Sequence, residues 1–168
     1  MGDPRKLRRK WSGPGHPWDK TRLETEMRLM GKYGLRNKRE IWIAQTMARK
    51  IRHRARQLQA LPESVRKSEE EALVKRLVSM GFIGEKSTLD DLLSINVEQI
   101  LNRRLQTIVY QKGLARSMYQ ARQLIVHGHI GIGGRRVTSP GYLVSKAEED
   151  LVDIMPSSPI RKALEEAR

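Results

Sequence analysis

Arg116, Gln120, Gln123 and His127 follow one another at spacings of four, three and four residues, which on an α-helix puts all four side chains on one face. Guanidinium, amide and imidazole groups in such a row suit phosphate oxygens and ribose hydroxyls, and Ser117 opens the same helix, so backbone donors stand where an anion would sit. The Arg135-Arg136 pair extends the positive surface. Seven Lys and Arg and no acidic residue lie between Arg103 and Arg136. Each feature alone reads better as a cap, a solvated helix or a hairpin with incidental arginines. Their co-location favours an anion-binding face.

Other chemistries find little support. His127 and His129 form a His-x-His pair with no further soft or carboxylate ligands nearby, which is weak evidence for zinc, and no metal or cofactor is expected. Cysteine is absent, which removes disulfides, thiolate catalysis and thiolate metal sites together. No Gly-x-Ser-x-Gly, phosphate-loop or paired-carboxylate pattern occurs. Gly131-Ile132-Gly133-Gly134 reads as a hairpin rather than a phosphate loop, since no helix follows. The chain is therefore expected not to be an enzyme.

The charge balance points to a polyanionic partner. The 168 residues carry a formal charge of +14 and a sequence pI near 10.5, and residues 1–60 hold 17 Lys and Arg against 5 Asp and Glu. Such self-repulsion destabilises a compact state unless something neutralises it. Two basic surfaces are implied: the cluster after Arg103, and the first third of the chain, with an arm carrying Arg5, Lys6, Arg8, Arg9 and Lys10 and a helix carrying Arg49, Lys50, Arg52, Arg54 and Arg56. No run approaches the roughly 18 apolar residues of a membrane span, no export signal is recognisable, and a cytoplasmic location is expected.

The elements that must position these groups are mostly helical. Residues 1–18, rich in Pro, Gly and basic residues, have no period and read as an extended arm, disordered until it lies on a partner. In it, Trp11 and Trp18 are equally suited to stack on bases or to cover the next helix. Asp19 to Lys32 reads as a helix ending near Gly31 or Gly34. Asn37 opens a longer one with Glu40 as its capping-box partner, and Ile41, Ala44, Ala48, Ile51, Ala55 and Leu58 make its apolar stripe. Pro62 ends it. The next helix is expected from Ser68, with Glu71 closing a capping box, Leu73, Val74, Leu77 and Val78 buried, and Gly81 as its stop. Thr88 and Asn96 restart helix.

Leu101, Leu105, Ile108 and Val109 share a face before a stop at Gly113, and Ser117, capped by Gln120, begins a second helix with Met118, Ala121, Leu124 and Ile125 inward. Beyond Gly128 the period becomes alternating. His129 to Ile132, a Gly133-Gly134 turn and Arg135 to Val137 form a hairpin. Tyr142 to Val144 and Leu151 to Ile154 are expected strands on either side of an acidic bend at Glu148 to Asp150. The fold class is thus α+β: a helical framework over 19–100, a two-helix hairpin on a small twisted antiparallel sheet over 101–154, and a tail over 155–168.

The order Arg-Leu, Gly-Leu-Ala-x-Ser, Ala-Arg-Gln-Leu-Ile, His-Gly-His-Ile, a Gly-Gly hairpin and Pro-x-Tyr resembles the S4-type RNA-binding module of the small-subunit ribosomal protein S-four family. Lys38-Arg39-Glu40-Ile41-Trp42, His16-Pro17-Trp18 and the basic amino terminus resemble its archaeal and eukaryotic branch and extend the likeness over nearly the whole chain. The resemblance implies a structural protein that binds the five-prime domain of small-subunit ribosomal RNA, acts early in assembly and lies near the messenger-RNA entry path, with neighbouring ribosomal proteins as further partners. By position, its RNA contacts fall on Arg104, Lys112, Arg116, Ser117, Gln120, Arg122, Gln123, His127, His129, Arg135 and Arg136. The broader motif has Asp at Gln106, Asn at Gly133 and Ser at Gly141, and bacterial members often hold zinc through cysteines that are missing here. The same module is appended to RNA-modifying enzymes, whose catalytic domain this length does not supply, and to free ribosome-associated stress proteins, which lack such a helical region.

Overall fold

Asp19 starts the first helix by accepting hydrogen bonds from the Thr21 and Arg22 N–H groups. In the computed structural model of the chain, which describes residues 9–84 and 87–159, that helix is α1 (Lys20–Tyr33), closed by Gly34 in the left-handed region at φ 57°. Asn37 then caps α2 (Lys38–Gln59), whose stripe Ile41, Ala44, Ala48, Ala55 and Leu58 is buried. Since α2 packs against α1 and the three helices that follow it, it is the axis of the framework.

The helix after Pro62 begins six residues earlier than a Ser68 cap would place it. α3 (Glu63–Ser79) starts directly after Pro62, and Ser68 lies inside it. Proline at the boundary has its backbone angle preset. The intervening residues are held by i,i+4 ion pairs, Lys67 to Glu63 at 2.9 Å and Arg66 to Glu70 at 3.4 Å. Gly81 does close this helix. α4 (Leu89–Leu93) and α5 (Val97–Asn102) begin where Thr88 and Asn96 place them, with the Asp91 and Gln99 side chains accepting from the cap N–H groups at 2.8 and 2.9 Å.

α6 (Leu105–Gln111) and α7 (Met118–Val126) form the second helical pair, and β1 (Ile130–Ile132) and β2 (Arg135–Arg136) form the hairpin, in register Ile132 to Arg135 across Gly133-Gly134. The acidic bend is a single helical turn, α8 (Lys146–Glu149), because Ser145 caps it and the Glu148 carboxylate accepts from the Ser145 N–H at 2.9 Å. β3 (Val152–Ile154) joins the other edge of β1, giving the antiparallel order β2-β1-β3. Tyr142 to Val144 is not a strand of this sheet. It pairs instead with the connector before α6, through the Leu105 N–H on the Tyr142 carbonyl at 2.8 Å and the Val144 N–H on the Arg103 carbonyl at 2.9 Å.

Two cores result. One gathers Tyr33, Ile41, Leu58, Leu92 and Leu101 in the framework, and the other Leu105, Ile108, Ile125, Ile130 and Val152 in the module. Met118 and Leu143 reach from the module onto the first core.

Residues 9–18 differ from the disordered arm expected for that stretch. Trp11 lies against Trp42 with ring centroids 5.0 Å apart, the Ser12 N–H donates to Thr46 Oγ1 at 3.0 Å, and Arg22 donates to the Pro17 carbonyl at 2.7 Å. The aromatic face of α2 supplies the burial that the arm lacks by itself. Trp11 therefore covers a helix, whereas Trp18 is 89% exposed.

The seam between framework and module closes on Gly34. A Cβ there would stand 2.9 Å from both Gln106 Nε2 and Met118 Cβ, in a backbone conformation that side chains resist. Gly34→Ala is expected to lower unfolding free energy by about 2–4 kcal/mol. Gly113→Ala, left-handed but with open space around it, is expected to cost only about 1–2 kcal/mol. Denaturant titration of the two variants checks the difference, and equal losses would mean that the seam is not tightly packed.

Candidate nucleic-acid interface

The row on α7 is assembled by its own cap. Ser117 Oγ accepts from the Gln120 N–H at 3.2 Å, and Gln120 Oε1 accepts from the Arg116 N–H at 2.7 Å, one residue before the cap residue itself. With its oxygen occupied, Gln120 presents its amide nitrogen as donor. Arg116, Gln123 and His127 are exposed. Arg135 and Arg136 are exposed on the hairpin, and a Cβ at Gly128 would stand 2.7 Å from Arg136 Cδ, so the Arg136 stem crosses the end of α7 beside His127. The structure thus sets Gln120, Gln123 and His127 at helical spacing along α7 and its C-cap, leaves Arg116 just ahead of the Ser117 cap at the start of the row, and carries Arg136 to the other end.

Other predicted positions have local partners. Lys112 Nζ donates to the Val152 carbonyl at 3.2 Å, and His129 Nδ1 lies 3.0 Å from Ser158 Oγ. The rings of His127 and His129 are 6.3 Å apart, and among the described residues no three His, Asp or Glu side chains converge as metal ligands.

Arg104 and Arg122 require correction as surface contacts. Arg104 is buried, its side chain 8% exposed, and its Nη2 binds Glu40 Oε2. Arg122, 21% exposed, grips the same carboxylate with two donors, Nη2 to Oε1 at 2.9 Å and Nη1 to Oε2 at 3.2 Å. Glu40 is not the capping-box partner of Asn37: Asn37 Oδ1 accepts from the Glu40 N–H at 3.2 Å, while the Glu40 side chain accepts from the Arg36 N–H at 3.4 Å and faces the two arginines. Two guanidinium groups on one carboxylate satisfy charges that burial would otherwise penalise. Beside them Gln106 points its amide nitrogen at the carbonyls of Tyr33, Gly34 and Met118, at 3.2, 3.0 and 2.9 Å, and its oxygen toward Arg122.

On the amino-terminal side, Arg9 lies 3.6 Å from the Trp11 ring centroid and Lys10 is exposed. Arg5, Lys6 and Arg8 lie outside the described residues. Along α2, Arg49, Lys50, Arg54 and Arg56 are exposed and Arg52 is half-buried, with Arg54 paired to Glu69 at 2.6 Å.

Comparison with known proteins is consistent with this layout. The family model of the ribosomal protein S4/S9 N-terminal domain matches residues 3–102, and that of the S4 domain matches residues 103–152. The small ribosomal subunit protein uS4 of Ignicoccus hospitalis is 64% identical over 96% of this chain and 98% of its own length. Those of Sulfurisphaera tokodaii and Hyperthermus butylicus are 63% and 62% identical, each over 96% of this chain and 92% of their own length. The chain belongs to the uS4 family. Its module is the S4 RNA-binding domain, and its helical framework is the family's amino-terminal domain. Among the described residues no helix is long and apolar enough to cross a membrane.

Sequence reasoning on this uS4-family chain passed over three groups. Glu40 was hidden because its cap position explained it locally. Tyr119, 63% exposed, and Arg36 stand beside the α7 row. For Tyr119 the available signal was an aromatic three residues from Arg116 and four from Gln123 on a helix whose apolar stripe it does not join.

The clamp on Glu40 predicts a pH dependence. Burial alone would raise its carboxyl, but hydrogen bonding to Arg122 and the Arg104 charge outweigh burial and hold it below the ordinary 4.5. A lowered folded pKa means that its stabilisation is complete above about 4.5 and is lost as pH falls through the lower folded value. Glu40→Gln is expected to cost about 3 kcal/mol at neutral pH, because the buried Arg104 and half-buried Arg122 guanidinium groups lose their counter-charge. The gap from the parent chain should shrink on acidification below that window. A gap that stays constant down to pH 2 would show that Glu40 is not the linked group.

Proposed function

We propose that this uS4-family chain is a structural component of the small ribosomal subunit that binds and organises the five-prime domain of its ribosomal RNA. In this reading it joins early in assembly, sits near the messenger-RNA entry path in the cytoplasmic ribosome, and acts by electrostatic positioning rather than catalysis. Its partners are the ribosomal RNA, adjoining small-subunit proteins and, at the entry path, the messenger RNA.

The observation that carries the reading is the α7 row, Arg116, Gln120, Gln123 and His127, continued by Arg136 in a stretch with no acidic residue. A-form RNA hides its major-groove edges, so donors on a rigid helix meet phosphates and ribose hydroxyls, and shape decides recognition more than sequence does. The basic faces of α2 and the arm supply a second surface. The clamp at Glu40 fixes the angle between the two, so the protein holds converging RNA strands in one arrangement instead of following them. Counterion release then makes affinity fall steeply with salt.

Arg122 is a poor test of this face, since losing it also breaks the clamp. Arg116→Ala combined with Arg136→Ala removes two exposed charges and leaves the cores untouched. The pair is expected to weaken binding to a five-prime-domain transcript by roughly tenfold per arginine, to lower the slope of log affinity against log salt by about two, and to leave the unfolding midpoint within a degree or two. Unchanged affinity and slope would remove this face from the interface.

A further inference from the structure

Between framework and module lies a groove of about 340 Å³, lined by Leu35 and Arg36 from the loop before α2 and by Tyr119, Gln123, Val126 and His127 from α7. Tyr119 and Val126, 63% and 52% exposed, are seven residues apart and so share one helix face two turns from each other. Exposed apolar side chains occur elsewhere on the chain, but these two lie together in a groove edged by cationic and amide groups. The rim carries cationic and amide side chains and no acidic one. Arg36, Gln123 and His127 are exposed, Arg122 stands at the inner end on Glu40, and no carboxylate is among the lining residues.

We propose that this groove takes a single unstacked nucleotide of the bound RNA, its base stacked on the Tyr119 ring against Val126 and its phosphate between Arg36 and His127. The inference rests on the RNA-binding reading of α7 and adds a subsite to it. An RNA duplex cannot enter a cleft of this size, since its bases are stacked and paired, whereas an extruded base offers a flat apolar face and a polar edge. The Tyr119 ring receives any base by its π-face, and Gln123 stands at the edge with an amide able to donate and accept. An acidic peptide would satisfy the cations but would leave the aromatic face without a flat partner. Because one wall belongs to the framework and the other to the module, the nucleotide bridges both halves and locks the seam from outside as Glu40 does from within. Recognition is therefore not purely by helical shape: one displaced base is read in a pocket.

The test uses the full chain and a five-prime-domain transcript of small-subunit ribosomal RNA. Tyr119→Ala and Tyr119→Leu are both expected to weaken binding roughly ten- to hundredfold with an unchanged salt slope, while Tyr119→Phe binds like the parent. Arg36→Ala is expected to reduce the slope by about one. Probing the RNA with base-modifying reagents should reveal one nucleotide that is reactive in the free transcript, protected by the parent chain and exposed again with Tyr119→Ala. A photoreactive phenylalanine analogue at position 119 should crosslink that nucleotide in assembled subunits. If Tyr119→Ala and Tyr119→Leu bind normally while Arg116→Ala with Arg136→Ala does not, the groove holds no base and the wider RNA face stands. If neither set affects binding, both readings fall. Crosslinks from position 119 to a protein neighbour would assign the groove to that protein and overturn the proposal.

Discussion

One half-buried carboxylate sets the geometry on which the rest of the molecule depends. Glu40, in the first turn of α2, receives two donors from Arg122 and one from Arg104, residues 82 and 64 positions away. Framework and module have separate apolar cores, bridged by Met118 and Leu143 alone among the module's apolar side chains named with the first core, and apolar contact is not directional enough to define the angle between them. A carboxylate held by two guanidinium groups is directional, and desolvation makes any misalignment costly. Gln106 works beside it in the same way: its nitrogen faces three carbonyls and its oxygen a guanidinium, so reversing the amide would set oxygen against three oxygens. Arg103 ties the far side, bonding Glu149 at 2.6 Å and the Val144 carbonyl at 2.9 Å.

This arrangement accounts for a division of labour among arginines that composition alone would treat as equivalent. Arg103, Arg104 and Arg122 have acidic partners and serve the fold, while Arg116, Arg135 and Arg136 point outward. The inward set neutralises part of the charge where repulsion would open the seam. The outward set leaves a field for a polyanion to neutralise. Stability and binding therefore draw on neighbouring residues of one helix: Arg122 faces the clamp and Gln123 the solvent.

Much of the fold was legible because its signals are local. Asn37, Thr88, Asn96 and Ser117 mark helix starts through bonds spanning three residues, and the Gly133-Gly134 turn fixes the hairpin register without reference to anything distant. Most of the misreadings share one physical cause, a remote partner overriding a local pattern. Glu40 had a satisfactory local role as a capping partner, and only the folded chain shows its side chain turned toward residues in the module. Tyr142 to Val144 is extended as its composition implies, yet pairs with the connector at Arg103 to Leu105 instead of the sheet. The arm at 9–18 lacks apolar residues enough to order itself, and it is the Trp42 ring that receives Trp11. Ser68 satisfied a capping pattern, but Pro62 had already set the helix start. The α7 row was visible from spacing, whereas the groove beside it needs Arg36 and Tyr119, 83 residues apart, and no periodicity connects those.

The central claim is that the ion-paired seam fixes the two basic surfaces at one angle before RNA arrives. Since the chain has no cysteine, Gln57→Cys on α2 and Thr138→Cys beyond the hairpin can carry spin labels uniquely, and pulsed electron resonance then measures the distance between the two units. The account predicts one narrow distance distribution in the free protein, unchanged on binding the five-prime-domain transcript, that broadens when Glu40→Gln is added. A broad distribution in the free parent chain that narrows only with RNA, or a narrow one that survives the loss of Glu40, would contradict it.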